Sequence, residues 1–358
     1  MSGQDLIVEL LIPAVKIAVV LGVVSLVVAY LTLLERKVLG FMQLRLAPRR
    51  VGPHGLLQPI ADGIKLLIKE DLRPDGADKA LFVLAPILSI IPAFAALAVL
   101  PFASAPFEIF GYTITPFITD VNIGVLYILA ITSLGVFGII LGGWSSNSKY
   151  SVLGSLRSAA QMVSYEVPLG LAVIGALMMA GTASMVGIVE AQRQAAWWFF
   201  VPQIIGLFCY FISAVAETNR IPFDLPEAEA ELVAGYQTEY AGMKFAFFMM
   251  AEYVNMIVVA SVAATLWFGG WMRPFPNVEA LAFLDWLNWA HPALSGIFWF
   301  SLKVFLILYV YIWLRGTFPR YRYDQLMRLG WKWLLPLSLA NILLTGLLLL
   351  LTRQASTS

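Results

Sequence analysis

"LIVELLIPAVKIAVVLGVVSLVVAYLTLL", residues 6–34, holds two charged side chains, Glu9 and Lys16. A bilayer core about 30 Å thick is crossed by roughly 20 apolar helical residues, so this run is long enough to span it. Hydrocarbon offers no water to bond to, and every backbone donor must find its acceptor within the segment, which makes the run a helix. Asp5 and Glu9 precede or open the run, and no basic flank does. That pattern reads as a retained first span and not a cleaved signal peptide.

Comparable runs follow at 81–101, 121–143, 158–181, 197–216, 240–268, 297–315 and 333–352. The expectation is an all-α membrane protein of eight transmembrane helices, one polytopic domain over 1–358. Composition agrees: 13% of residues are charged, against about 25% in soluble domains. Pro86, Pro92, Pro168 and Gly170 fall inside predicted spans, where neighbouring helices can absorb breaks in the backbone ladder. A net charge of +1 without a basic tail offers nucleic acid no footprint.

Cys209 is the only cysteine, and His54 and His291 are the only histidines. An internal disulfide is excluded, and haem, structural zinc or an iron–sulfur cluster would need more ligands. "GIILGG" (138–143) sits in an apolar run with no preceding strand, so its glycines read as close helix packing and not as a phosphate loop.

Lysine and arginine collect in the connections 35–80, 144–157 and 315–332, with Arg220 in the acidic loop 217–239 and Lys244 at the start of the next helix, whereas Arg193, Arg273 and Arg353 lie on the other side. The excess marks the first set as cytoplasmic and puts both termini outside. Within 35–80, "GLLQPIADGIKLLIKED" (55–71) is too polar to span. Leu57, Ile60, Ile64, Leu67 and Ile68 share one helical face, with Gln58, Asp62, Lys65 and Lys69 opposite. An in-plane amphipathic helix at the cytoplasmic surface is expected.

Several acids lie where acids are expensive. Glu166 and Glu252 fall inside predicted spans, and Glu217 ends one. An ionised group at the bilayer centre costs about 2.5–3.5 kcal/mol on insertion scales. Such groups face a bundle interior or a wet path and suggest proton relays; the bland alternative is a satisfied interior hydrogen bond or an ion pair. Asp224, Glu227, Glu229 and Glu231 crowd the loop after Glu217, stiffened by Pro222 and Pro226. Crowded carboxylates cannot all ionise cheaply and titrate as a group; the alternative is a solvated patch that docks a basic partner.

Four stretches now define a resemblance: "LLERKVLGFMQLRLAPRRVGPHGLLQPIADGIKLLIKED", "AETNRIPFDLPEAEAELVAGYQTEY", "FFMMAEYVNM" and "GTFPRYRYDQLMRLGWKWLLPL". Over nearly its whole length the chain resembles one family of membrane subunits of NADH:quinone oxidoreductase (respiratory complex I), the H subunit of bacteria and subunit 1 of mitochondria. The resemblance implies a subunit of the bacterial inner membrane, at the junction with the hydrophilic arm. It implies a chamber for quinone as substrate, ubiquinone or menaquinone. FMN and iron–sulfur clusters would sit in partner subunits only, and the terminal cluster's subunits would border the chamber. Small membrane subunits, antiporter-like subunits and lipid would be the other neighbours. By the same resemblance, Glu217, Glu252 and Glu166 lie on a proton route. Asp224, Glu227, Glu229 and Glu231 lie nearer the quinone, and Arg36, Arg45, Asp62 and Lys65 lie around the chamber and its entrance. The segment "RLAPRR" (45–50) departs from the family's R-x-G-P-N, with Ala47 for glycine and Arg49 for asparagine. Other readings of the residues remain open here: the homologous subunit of an energy-converting hydrogenase or of an F420H2- or ferredoxin-fed complex, a stand-alone ion transporter, or a structural anchor.

Overall fold

The structure is a computed structural model that describes residues 10–109, 112–195, 198–225, 233–274 and 291–357. Among these residues, seven helices are long and apolar enough to cross a membrane. The first, α1 (Ile12–Met42), runs past the end of its apolar stretch. Its 31 residues give a rod of about 46 Å at 1.5 Å per residue, well beyond the hydrocarbon thickness. Glu35, Arg36 and Lys37, expected in a connection, are therefore on its last turns. Nothing in "ERKVLGFM" stops a helix; it ends at Gln43, followed by Leu44 at φ 53°. Ala47 is not among the positive-φ residues, so replacing the family's glycine strains nothing there.

After α2 (Gln58–Ile68), helices α3 (Lys79–Ala95), α4 (Gly124–Ser145) and α5 (Lys149–Ala180) form three successive long spans. Asp78 caps α3 by accepting from the backbone N–H groups of Ala80 and Leu81, which satisfies donors the first turn leaves free. Pro86 and Pro92 lie within α3 and Pro168 within α5. The glycine reading of 138–143 holds. A methyl on Gly138 would come within 2.1 Å of Ser89 Oγ on α3, and one on Gly143 within 2.2 Å of Ser155 Oγ on α5. Between α3 and α4 a two-stranded antiparallel ribbon, β1 (Phe107–Ile109) and β2 (Tyr112–Ile114), pairs Phe107 with Ile114. Its Thr115 neighbour accepts from Lys16 Nζ at 2.8 Å, so this lysine is bonded to the protein and does not merely reach for the surface.

The short helix α6 (Met185–Gln194) precedes α7 (Ile204–Glu217). The run expected to span at 197–216 thus yields a helix of 14 residues, about 21 Å at the standard rise. Pro202 is the physical reason: it lacks an N–H and disfavours helix in the residue before it. Gln203, at the head of α7, is held by Asn341 and Thr345: Asn341 Nδ2 donates to its Oε1 at 2.8 Å, and its Nε2 donates to Thr345 Oγ1 at 2.5 Å. Gly175 and Gly206 leave the room for that knot, since a methyl on either would meet the Gln203 and Asn341 side chains at 3.0 Å or less.

The last spans are α8 (Gly242–Trp267), α9 (Pro292–Thr317) and a continuous rod of α10 (Tyr323–Arg328), one π turn (Leu329–Leu334) and α11 (Leu335–Thr357). Helix therefore begins at Tyr323, ten residues before the expected 333. The core gathers around α8, whose Val254–Trp267 stretch is almost entirely buried. Lys303 of α9 donates to the carbonyls of Phe268, Gly270 and Met272 at 2.7, 2.8 and 2.6 Å, pinning the turn after α8. Lys303→Met is expected to strip three buried carbonyls of their donor and to destabilise the protein by about 3 kcal/mol. A lower melting temperature of the detergent-solubilised protein checks this; an unchanged one would mean the turn is held by other contacts.

Candidate functional site

At the end of the bundle where α1, α7 and α9 finish and α8 begins, charges converge in the interior. Glu35 is 3% exposed. It pairs with Arg315 of α9 and lies 3.6 Å from Arg220, and Tyr253 of α8 donates to its Oε2 at 2.6 Å. Arg220 is 7% exposed. Its guanidinium stacks 4.2 Å above the Tyr253 ring and reaches Glu252 at 3.9 Å. Glu252 sits ten residues into α8, about 15 Å from its start. There it accepts from Tyr236 at 2.8 Å and Gln237 at 3.1 Å.

The chain reaches this geometry through local backbone chemistry. After Glu217, Asn219 adopts φ 50°, a left-handed conformation that asparagine tolerates better than most residues. The segment doubles back, with Arg220 N–H on Val215 O and Phe223 N–H on Arg220 O. Gln161 of α5, fully buried, holds both arms by donating to Ala216 O at 2.7 Å and Phe223 O at 2.8 Å. A tight turn, Gly235–Gln237, then presents Tyr236 and Gln237 to Glu252. Tyr240 stacks on Phe82 with ring centroids 4.1 Å apart, and burial pushes its hydroxyl up to about 12. It therefore remains a protonated group near Ser145 Oγ, 3.2 Å away.

Beyond Glu252 a cavity of about 20 Å³ separates it from Glu217; both carboxylate residues line it, with Ser89, Gly135, Asn219 and Asn255 among the walls. Glu217 in turn is within electrostatic reach of Glu166, whose carboxylate hydrogen-bonds Ser133 of α4. The structure thus brings Glu217, Glu252 and Glu166 into one neighbourhood. Asp224 stands apart, buried against Arg320 at 3.1 Å. Glu227, Glu229 and Glu231 lie outside the described residues.

A second group forms where α2 crosses the end of α1. Arg36 Nη1 is 2.7 Å from Asp62, Lys65 is 3.8 Å from it, and Gln58 donates to it at 3.1 Å. Arg45 does not join them; it is exposed on the loop after α1. An apolar groove of about 820 Å³ runs along α1 from Lys16 to Leu34, walled by α8, α9 and the β1–β2 region. It ends one residue short of Glu35 and two short of Arg36.

Glu35, Arg315, Tyr253, Tyr236, Gln237 and Gln161 were not expected from sequence. Glu35 adjoins Arg36 and Lys37 and reads as one of a solvated charge cluster. Its helical phase held the signal: Val24, Val28, Leu31 and Glu35 are all buried, at spacings of four, three and four on one face of α1.

Helices long and apolar enough to span a membrane, with carboxylates and arginines paired among them beside an apolar groove, define a polytopic membrane protein of bundled helices. A family model described as NADH dehydrogenase matches residues 15–346. The chain is 52% identical to the first of the NADH-quinone oxidoreductase H subunits of Geobacter sulfurreducens, covering 93% of each chain. It is 52% identical to the H subunit of Rhodospirillum rubrum over 89% of this chain and 88% of that one. It is 48% identical to the first H subunit of Koribacter versatilis over 93% and 91%. The chain belongs to the family of NADH-quinone oxidoreductase H subunits, the complex I membrane subunits that also include mitochondrial subunit 1.

Proposed function

We propose that this chain walls a quinone chamber and couples quinone reduction to proton translocation in a proton-pumping NADH-quinone oxidoreductase. Its partners are the hydrophilic subunits carrying the terminal iron–sulfur cluster, the small membrane subunits and the antiporter-like subunits. The observation that carries the reading is the line of interior charge from Glu35 through Arg220 and Glu252 to Glu217 and Glu166. The groove along α1 suits an isoprenoid tail, and the Arg36–Asp62–Lys65 group with Arg45 suits the rim by which the headgroup enters. In this reading α7 counts as the eighth crossing and α2 lies in the membrane surface on its exposed Ile60, Ile64, Leu67 and Ile68. The Glu35 end faces the cytoplasm, with both termini outside.

The chemistry follows from competition for cations. Electrons come from a partner's cluster, and this chain carries none. Negative charge arising on a headgroup beside Arg36 and Glu35 draws on Arg220 and Arg315, which the Glu35 and Glu252 carboxylates also need. In a poorly solvated interior that attraction is only weakly screened. As Arg220 shifts, Glu252 loses positive charge beside it and takes up a proton, which passes to Glu217 and then Glu166. Asp224, Glu227, Glu229 and Glu231 take part from the loop side as a group of carboxylates.

Glu217→Gln and Glu252→Gln keep shape and remove titration. In the assembled complex in proteoliposomes, each is expected to lower proton-coupled quinone reduction about 100-fold, the usual scale for losing a proton-transfer group, with subunit assembly unchanged. A full proton-to-electron ratio at normal turnover in both variants would refute the relay.

A further inference from the structure

Helix α2 is attached to the bundle by its polar side. Ile60, Ile64, Leu67 and Ile68 are all exposed, and no residue of the helix is buried. Its half-covered positions include Gln58, Ala61, Asp62 and Leu66, which recur at spacings of three and four and so share one face. Within this chain, apolar burial therefore does little to seat α2. Among the described residues, two ion pairs tie the segment down. Arg36 of α1 meets Asp62 at 2.7 Å in its first half. Lys244 of α8 meets Asp71, three residues beyond Ile68, at 2.8 Å.

Lys244 breaks a local rule. It is the third residue of α8, and a cation in the first turn opposes the positive end of the helix dipole. Two contacts offset that cost. Its Nζ lies 5.0 Å from the centroid of the Phe82 ring, whose face attracts a cation, and the Asp71 carboxylate supplies the opposite charge. Gly242, at φ 56°, brings the head of α8 against the end of α2: a methyl there would lie 3.2 Å from Lys69 O and 3.5 Å from Leu66 O. Phe82 in turn stacks on Tyr240, which follows the turn that serves Glu252. The Lys244 side chain is 17% exposed and that of Asp71 56%. An ion pair open to solvent on one side is weak, which suits a contact that releases and re-forms.

We propose that Lys244 and Asp71 form a releasable clasp that seats the far end of α2 on the head of α8 and so holds Asp62 and Lys65 in the arrangement that admits a quinone headgroup. Both are positioning residues, acting through α2, and the inference rests on the chamber reading above. With the clasp open, α2 keeps its ion pair at Asp62 and swings about that point. The rim formed with Arg36 is then correctly set for only a fraction of the time. Apparent affinity for quinone falls by that fraction, whereas turnover of quinone already bound does not depend on it.

The test uses the assembled complex in proteoliposomes, with a short-tailed quinone, decylubiquinone, as the probe. Lys244→Met and Asp71→Asn should each raise the KM for quinone about fivefold, as for a rim set one-fifth of the time, with kcat within about twofold of wild type. Asp71 is exposed, so Asp71→Asn leaves the fold intact. The double variant should be no worse than either single, because the pair is broken only once. Lys244→Arg should keep KM near wild type. Exchanging the charges, Lys244→Glu with Asp71→Lys, should recover part of the loss, which a merely loosened fold would not allow. Hydrogen exchange of the backbone amides from 61 to 72, measured on the same preparations, should be faster in both single variants. Wild-type exchange and KM in both singles overturn the clasp. Faster exchange with wild-type KM overturns its role in admitting quinone. Arg36→Gln separates this proposal from the chamber reading. If it raises KM while the clasp variants do not, the clasp falls and the chamber stands. If it too leaves KM unchanged, the chamber reading falls and the clasp's role falls with it.

Discussion

Arg220→Met is expected to destabilise the assembled protein by about 3–5 kcal/mol, the usual cost of removing one partner from a buried ion pair. The guanidinium lies between Glu35 and Glu252 and over the Tyr253 ring. Its loss takes from Glu35 one of its two guanidinium neighbours and from Glu252 the guanidinium at 3.9 Å. Less complex should accumulate in the membrane, and what accumulates should melt earlier. Adding Glu252→Gln should recover part of the loss, because it removes a carboxylate that the guanidinium faced; the two singles and the double form a cycle that isolates the pair. Arg220→Lys should recover only part, since an ammonium cannot reproduce the planar fork or the stack. Wild-type accumulation and melting of Arg220→Met would show that the interior charges do not depend on one another.

Gly154→Ala is expected to disturb the turn that faces Glu252. A methyl there would meet the Gly235 backbone at 2.6 Å and the Tyr236 nitrogen at 3.0 Å. Backbone cannot turn aside as a side chain can, and overpacking of this kind costs about 1–3 kcal/mol. The displaced turn is the one that delivers Tyr236 and Gln237 to Glu252. Stability and coupled turnover should therefore fall together. Gly170→Ala on the same helix is the control, because its methyl meets nothing within 4 Å and alanine favours helix over glycine by about 1 kcal/mol. Equal behaviour of the two variants would remove the packing argument.

The long spans were legible in the sequence because bilayer thickness imposes a length and hydrocarbon imposes a helix. Their ends were not. At Leu34 and Trp333 hydropathy marks where the apolar run stops or starts, whereas the helix is limited by backbone chemistry, and α1 and the α10–α11 rod extend beyond those marks. The run at 197–216 failed in the opposite sense: it is apolar enough, but Pro202 shortens the helix inside it. Of the site, Glu166, Glu217 and Glu252 stood out because acids in apolar runs are rare. Glu35 and Arg315 did not, because they sit at span ends where charges are ordinary, and only burial distinguishes them from Arg36 and Arg322. Gln161 was invisible for another reason, since a glutamine's role as a clamp depends on carbonyls that become available only when the chain after α7 doubles back.

The Gln203–Asn341–Thr345 knot has a consequence for biogenesis. A helix of 14 residues has little length with which to fix its own position, and its leading amide, buried in the bundle, needs a companion. That companion is supplied by the α10–α11 rod, more than a hundred residues later in translation. The seating of α7, and with it the position of Glu217, is thus completed only once that later rod has been made.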